Sequence, residues 1–565
     1  MELSDKKGVQ HIVMALAALG LKEVVICPGS RNAPLVISFN RHSAFKCTSI
    51  RDERSAAFFA LGKAIELKQP VAILCTSGSA ALNFAPAIAE AYYQRIPLIV
   101  LTADRPKVWT GQGDGQTINQ TDIYRNYIRK SFEINGDATS ENDLWYLNRC
   151  LSEGFNIATY SDKGPVHFNI PVSEPLYGTT AADENKLQKV FREITAEKHI
   201  PENEMELLAK QFSECKKVML LVGQHLPDES LQTVTEQLTS FENVVVLTES
   251  TSNIHHSGFI ENIDRCITHL NDKEAKAFMP DLLITAGGAV VSKRIKKLLR
   301  DASPKYHWNV HPYDSAMDTY QALTSAIALE PNIFFKQLLP YIQPTTSDYS
   351  LRWNKLKNEK EHAHKQFCAD VAYSDFKVFE TVYKTIPSST HLHLANSSVV
   401  RYAQLFDNSK TASTWSNRGT SGIDGSNSTA VGAAAASPDK NFVLITGDVT
   451  FHYDKNAFWT ETPVENLKVI IINNGGGGIF RIIPGPDKIA ERERFIETSM
   501  ATNAGHLAAH YGWNYLVVKN EQQLEPLLKE FFAPSTTKTI LEIFTDANQN
   551  PLVLEQYWKF LREKK

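Results

Sequence analysis

The sequence predicts an α/β protein made of three doubly wound parallel-sheet domains. Short apolar runs rich in β-branched residues recur along the chain between stretches that read as helices, the pattern of parallel strands buried on both faces. Several of these runs end in Gly, Ser, Thr, Asp or Asn, as strands do where they enter turns. At 565 residues the chain has the length of roughly three to four domains. Polar stretches at 176–203 and 344–350 divide it into 1–180, 204–345 and 348–565.

In the first domain an amphipathic helix at about 7–19 precedes a strand at 23–27, which ends in Pro28, Gly29, Ser30, Arg31 and Asn32. Such a turn can offer a hydroxyl, backbone N–H groups and an arginine to an anion. Equally, Pro-Gly is an ordinary turn and Arg31 a surface charge. A strand at 45–50 leads through Asp52 and Glu53 into an apolar helix at 55–61. Taken alone, Glu53 reads as an acidic residue complementing the helix dipole. A strand at 71–75 then ends in Thr76, Ser77, Gly78 and Ser79, followed by a helix at 80–93 that contains Pro86. A further strand at 97–101 ends at Thr102, Ala103, Asp104, Arg105 and Pro106. Gly111, Gly113 and Gly115 are not spaced as G-x-G-x-x-G and do not lead from a strand into a helix, so they are no dinucleotide fingerprint.

Strands at 216–222, 243–247 and 281–285 alternate with helical stretches in the middle domain. Lys293, Arg294, Lys296, Lys297 and Arg300 fall at a spacing that spreads them over a helix surface, where solvated charge is the default reading. In the last domain a strand at 391–396 precedes a helix starting at 397–401. A polar glycine-rich loop at 415–425 then leads into an Ala-rich helix at 429–436. The run 442–445 ends at Thr446, Gly447 and Asp448; the run 467–472 ends at Asn473 and Asn474, before four glycines at 475–478. The segment between the two runs is long enough for a crossover helix. A strand–helix–strand segment through 515–518 and 540–545 completes the sheet.

Ligands of an open α/β sheet lie beyond the carboxyl ends of its strands. Asp448 and Asn474, 26 residues apart, are therefore expected to be neighbours. A carboxylate, an amide oxygen and glycine carbonyls are hard oxygen ligands, suited to Mg²⁺ completed by water and phosphate. Glycines let backbone come close to a diphosphate. The alternative for this stretch is two strands ending in turns, with Asp448 as a helix N-cap.

Composition narrows the class. Hydrophobic residues make up 43% and charged residues 22%, which suits a globular enzyme with ample core. The formal charge of −4 offers no footprint for nucleic acid or a membrane surface. Residues 1–20 hold no long apolar signal core and no 18-residue apolar span occurs; the cysteine pattern favours the reducing cytoplasm. Seven scattered cysteines without C-x-x-C argue against a disulfide framework and a zinc site. His362 with His364, and His391 with His393, lack cysteine or carboxylate partners at metal spacing and read as structural.

The Gly-Asp…Asn-Asn arrangement at Gly447, Asp448, Asn473 and Asn474 is similar to the signature of thiamine-diphosphate enzymes, although many members have a glycine where this chain has Val449. Glu53 with its small-residue helix, the Thr76–Ser79 turn and the strand at 97–101 resemble their pyrimidine-binding domain. Ser30 and Arg31 in their turn, the segment 103–106, and 164–171 with Glu174 and Tyr177 resemble one branch in particular. That branch is the 2-succinyl-5-enolpyruvyl-6-hydroxy-3-cyclohexene-1-carboxylate synthases of menaquinone biosynthesis, and the likeness spans nearly the whole chain.

The resemblance implies three domains of thiamine-diphosphate-enzyme type: pyrimidine-binding, central, and diphosphate- and Mg-binding. It implies a transferase that decarboxylates 2-oxoglutarate and adds the product 1,4 to isochorismate. Its cofactors would be thiamine diphosphate and Mg²⁺ or Mn²⁺, and its assembly a homodimer or a dimer of dimers. By this likeness Glu53 is the catalytic carboxylate, sharing a proton with the pyrimidine N1′. Asp448, Asn474 and Gly476 are the metal ligands; Gly447, Gly477, Ile479 and Phe480 line the cofactor, and Ile423 is the apolar wedge that holds it bent. Ser30, Arg31, Arg105, Gln116, Lys293, Ser397, Arg401 and Arg418 would meet substrate. Two dicarboxylate substrates suit this arginine set, since guanidinium binds carboxylate bidentately. His167 is read as a strand residue. An acetolactate-synthase-like or decarboxylase relative using pyruvate shares the cofactor motifs and is the alternative within enzymes; the arginines and the lack of active-site histidines speak against it. A non-catalytic protein of the same fold would be expected to lose Glu53 or the metal ligands, which this chain keeps.

Overall fold

The computed structural model describes residues 1–183, 188–268, 270–483, 485–534 and 536–564. Of the predicted linker at 176–203, residues 184–187 lie outside the described residues. The chain divides into two compact units. The first is 1–196 with 417–442 and 450–467; the second is 197–416 with 443–449 and 468–565.

In the first unit β1 (Glu2–Ser4) pairs antiparallel with β8 (Thr179–Ala181), so the predicted linker begins with a short strand. The remaining strands are β2 (Glu23–Ile26), β3 (Lys46–Ser49), β4 (Val71–Cys75), β5 (Leu98–Asp104), β6 (Ser131–Glu133) and β7 (Val166–Pro171). They form one parallel sheet in the order β3-β2-β4-β5-β7-β6. β4 and β5 are buried at every residue, as a sheet covered on both faces requires. The chain reverses its direction of travel across the sheet between β2 and β4. That is a topological switch point, the place where such sheets bind ligands.

The helix predicted at 80–93 is two helices, Ser79–Asn83 and Ala85–Gln94. Pro86 is the reason: it has no N–H to continue the ladder and sits well only in a first turn. The helix Glu53–Leu67 is apolar on every side and packs against Ser426–Ala436. Glycines permit the approach, since a Cβ on Gly62 would lie 2.0 Å from Thr429 O and one on Gly432 2.0 Å from Phe59 O. Its one buried lysine, Lys63, is paired with Glu23 at 2.5 Å.

The second unit holds two sheets. The central one comprises β9 (Val218–Val222), β10 (Val244–Thr248), β11 (Leu282–Ala286), β12 (Tyr306–Val310) and β13 (Ser325–Ile327), parallel in the order β10-β9-β11-β12-β13. The other comprises β14 (His391–Leu394), β15 (Ser413–Trp415), β16 (Phe442–Gly447), β17 (Leu467–Asn473), β18 (Asn514–Val518) and β19 (Thr539–Phe544), in the order β15-β14-β16-β17-β19-β18. Its switch point falls between β14 and β16. The crossover from β16 to β17 is a six-residue helix, Asp448–Tyr453, and a 3₁₀ turn, Lys455–Phe458, in place of one long helix. The helix Tyr349–Ala369, predicted to open the last domain, serves both sheets. Tyr349, Trp353 and Leu356 enter a core on the central sheet, and Ala363 and Cys368 enter the core of the other. No helix among the described residues is long and apolar enough to cross a membrane.

Candidate cofactor and substrate sites

In the second unit two strands of one sheet, β16 and β17, bring the candidate metal ligands to the same edge. Asp448 follows β16 and is the first residue of the short helix; its Oδ1 accepts from Val449 N at 2.7 Å. Its Oδ2 accepts from Gly476 N at 2.8 Å, which ties the end of β16 to the glycine run after β17. Asp448 is 2% exposed. Burial pushes its carboxyl up to about 7, against the backbone donors of Val449 and Gly476, with nearby Asp375 adding repulsion. A cation at this carboxylate would offset that cost.

Asn474 is oriented by a residue the sequence reading missed. Its Nδ2 donates to Asp375 Oδ2 at 2.9 Å, while Thr545 Oγ1 donates to Asp375 Oδ1 at 2.6 Å. A carboxylate only accepts, so the amide presents nitrogen to Asp375 and keeps Oδ1 for a ligand. Gly475 and Gly476 have φ of +79° and +144°, backbone that other residues rarely adopt. Gly478 donates to Gly476 O at 2.9 Å, and Ile479 and Phe480 follow at the start of the helix Ile479–Ile482. One carboxylate, one amide oxygen and one carbonyl are a donor set that fits Mg²⁺ or Mn²⁺ bound with phosphate. Among the described residues no group of three or more His, Cys, Asp or Glu is placed to hold a metal.

Ser397 lies beyond β14, across the switch point from Asp448, at a φ of +74°. Arg401, one helical turn on, donates to Ser397 O at 2.6 Å, and its guanidinium stabilises the buried carboxylate of Asp264. Lys293 is exposed at the first position of the helix Lys293–Ala302. Its capping residue Ser292, and Val291, donate through their backbone N–H groups to the buried carboxylate of Glu249 at 2.7 and 2.6 Å. His364 and His393 are buried and pushed down to about 2 and about 3, so both are neutral core residues.

In the first unit Glu53 is the first residue of its helix, and Asp52, accepting from Ser55 N at 2.8 Å, is the cap. Glu53 is half-buried, and among the described residues no hydrogen bond or ion pair reaches its carboxylate. It stands near enough to Cys27 and Cys75 to add to the rise that burial gives both thiols. Arg31 N donates to Thr76 Oγ1 at 3.1 Å across the switch point. The Arg31 side chain is 4% exposed and donates to Val172 O and Glu174 at 3.0 and 3.1 Å. Ser30 and Gln116 are exposed, and Arg105 pairs with Asp114 at 3.0 Å.

The loop carrying Arg418 and Ile423 is pinned by Glu90, another residue the sequence reading missed. This buried carboxylate accepts from Gly419 N, Thr420 N and Thr420 Oγ1 at 2.8, 2.6 and 2.7 Å. Further along, Asp454 accepts from Ser428 N and Oγ, both at 2.7 Å, and closes the start of the helix Ser426–Ala436. His167 sits inside β7, bonded to Thr102 Oγ1 at 2.7 Å, and burial pushes it down to about 3.

Two family profiles match the chain. The one described as "Thiamine pyrophosphate enzyme, N-terminal TPP binding domain" covers residues 6–123, and its C-terminal counterpart covers 396–543. A 2-succinyl-5-enolpyruvyl-6-hydroxy-3-cyclohexene-1-carboxylate synthase from Flavobacterium johnsoniae is 43% identical over 552 residues, 98% of each chain. Synthases of the same name from Porphyromonas gingivalis and Bacteroides thetaiotaomicron are each 38% identical, over 569 and 565 residues, with at least 98% of every chain covered. This chain belongs to the 2-succinyl-5-enolpyruvyl-6-hydroxy-3-cyclohexene-1-carboxylate synthase family.

For a member of this synthase family, the described geometry gathers the expected residues into two groups. Asp448, Asn474, Gly476, Ile479, Phe480, Ser397 and Arg401 lie along one strand edge of the second unit. Ser30, Arg31 and the Thr76 turn lie at the switch point of the first, where Glu53 follows β3. Asp375, Glu90 and Asp454 carried no signal of their own in the sequence. Ser374-Asp375 reads as a helix start, and Ser374 does cap that helix. The partners of the three acids lie 26 to 330 residues away.

Proposed function

We propose that this chain is the thiamine-diphosphate-dependent transferase of menaquinone biosynthesis that decarboxylates 2-oxoglutarate and joins the four-carbon product to isochorismate by 1,4-addition. The main support is the junction of Asp448 and Gly476 with an Asn474 whose oxygen is kept available, in a chain that matches the synthases end to end. In this reading Asp448, Asn474 and the Gly476 carbonyl hold Mg²⁺ or Mn²⁺. Gly447, Gly477, Ile479 and Phe480 line the cofactor and Ile423 props it. The domains 1–180, 204–345 and 348–565 are pyrimidine-binding, central and diphosphate-binding.

When bound, thiamine diphosphate supplies the carbanion-forming centre on which a 2-oxo acid loses CO₂. The protein's own share is proton placement and charge. Glu53, which no hydrogen bond or ion pair reaches among the described residues, shares a proton with the pyrimidine N1′. Arg31, Arg105, Arg401 and Arg418, with Ser30, Gln116, Lys293 and Ser397, bind four carboxylates on two substrates. The enzyme acts in the cytoplasm as a homodimer or a dimer of dimers, with Glu53 of one subunit working beside Asp448 and Asn474 of the other.

The test is substrate choice. With cofactor, Mg²⁺ and saturating isochorismate, kcat/KM for 2-oxoglutarate should exceed that for pyruvate. One charge-assisted hydrogen bond to a partly buried arginine contributes about 1.5–3 kcal/mol, a factor of roughly ten to more than a hundred. CO₂ release should depend on isochorismate, and Arg401→Ala should raise KM for a dicarboxylate without matching loss of cofactor affinity. Equal or better use of pyruvate would transfer the assignment to the acetolactate-synthase-like reading.

A further inference from the structure

The glycine stretch at 111–115, which is no dinucleotide fingerprint, lies in the first unit within a loop that carries two expected substrate residues, Arg105 and Gln116. Packing does not hold this stretch: a Cβ on Gly111, Gly113 or Gly115 would meet nothing within 4 Å. Gln116 nevertheless has a φ of +55°, left-handed backbone that a glutamine rarely adopts unless its surroundings impose it. It is pressed against the turn after β4. A Cβ on Gly78, itself at a φ of +88°, would lie 3.2 Å from Gln116 O.

We propose that Gln120 is the positioning residue that holds Gln116 in this conformation and so sets the affinity for the acceptor substrate. The proposal rests on the assignment of Gln116 to substrate. Gln120 is 1% exposed, and its Oε1 accepts from Gly78 N at 2.9 Å. Its Nε2 donates to Ala103 O at 3.2 Å and to Asn169 Oδ1 at 2.9 Å. One side chain thus ties the loop just past Gln116 to the turn after β4, to β5 and to β7.

The orientation of this amide is fixed by its neighbours. Asn169 Nδ2 donates to Asp104 Oδ2 at 2.8 Å, and a carboxylate only accepts, so Asn169 turns its oxygen toward Gln120. Thr102 Oγ1 gives its one proton to the same oxygen at 2.9 Å. Neutral His167 is then the donor to Thr102, from Nε2 at 2.7 Å. With an acceptor on the Asn169 side and the Gly78 N–H on the other, only one arrangement of the Gln120 amide satisfies both. A buried network in which each member is satisfied is rigid. Gln116 extends from it with an exposed side chain, and no hydrogen bond reaches that side chain among the described residues.

The test is a double-mutant cycle on the holoenzyme with 2-oxoglutarate and isochorismate. Gln120→Met keeps roughly the volume of the side chain and removes its hydrogen bonds. It should raise KM for isochorismate about three- to tenfold, the loss of one uncharged hydrogen bond, while kcat changes by less than about threefold. In a Gln116→Ala background the same substitution should move that KM by less than about twofold, because the group it positions is gone. Amide hydrogen exchange at Gly78 should speed up in Gln120→Met, a readout that needs no substrate. An equal KM cost in both backgrounds, which a purely structural role would give, or unchanged exchange at Gly78 would overturn the proposal. Should Gln120→Met not fold, Gln120→Asn, one methylene too short to reach both Gly78 and Asn169, carries the same expectations. Wild-type turnover indifferent to isochorismate would overturn the proposed function instead. The cycle, run on the acceptor actually used, and the Gly78 exchange then still support or sink the role of Gln120.

Discussion

Three carboxylates in this chain have opposite circumstances, and that contrast separates their work. Asp448 is buried beside backbone donors, and burial pushes its carboxyl up to about 7. Asp375 is buried too, yet spends its oxygens on Asn474 and Thr545. Glu53 is half-buried with no protein partner among the described residues, which leaves it for a ligand proton. Glu53→Gln should therefore keep most cofactor affinity while losing most turnover. Hydrogen–deuterium exchange at cofactor C2 should slow in the variant, and exchange at the wild-type rate would reduce Glu53 to a helix-terminal charge. Asp375→Asn tests positioning. It removes the charged acceptor that fixes Asn474, so Mg²⁺ affinity measured by calorimetry in the presence of thiamine diphosphate should fall about 10- to 100-fold. Unchanged metal affinity would make Asp375 a purely structural acid.

At the scale of elements, the strands carry most of what was legible. Each apolar run became a strand, all but one within a residue or two of its predicted bounds, because burial on both faces demands an unbroken apolar sequence; the run at 97–101 continues three residues further, to Asp104. Long-range partners were not legible. The split of the helix at 80–93 was not read from Pro86, although a proline that cannot continue the ladder is its physical cause. Asp375 and Glu90 read as ordinary helix acids until the fold brought Asn474 and the 419–420 backbone against them. His167 was legible as a strand residue, and β7 places it with Thr102 Oγ1 at 2.7 Å. Its pKa is pushed down to about 3 by burial. The unfolded chain therefore takes up the proton first as pH falls. The stability due to a neutral His167 is complete above about pH 6.5 and is lost as the pH drops toward 3. Between about pH 6 and 4, unfolding free energy in His167→Gln should fall less steeply than in the wild type, by up to about 1.4 kcal/mol per pH unit. Parallel pH dependence in urea titrations of the two proteins would show that the histidine is not held neutral.

For the whole molecule, the sharpest expectation concerns assembly. If Glu53 of one subunit serves the metal site of another, Glu53→Gln and Asp448→Ala proteins, each inactive alone, should regain part of the activity when mixed and allowed to exchange. No recovery after verified exchange would mean that each chain builds its own site. The first unit also has a history written into its connectivity. It needs 417–442 and 450–467 as well as 1–196, and residue 467 is made 271 residues after residue 196. At ordinary rates of synthesis that is on the order of a quarter-minute to a minute. Through that interval the helix Glu53–Leu67, apolar on every side, waits on the ribosome without Ser426–Ala436 to cover it. The nascent chain is then a natural client for chaperones that bind apolar helices, and slowing translation between codons 196 and 467 should lengthen that engagement.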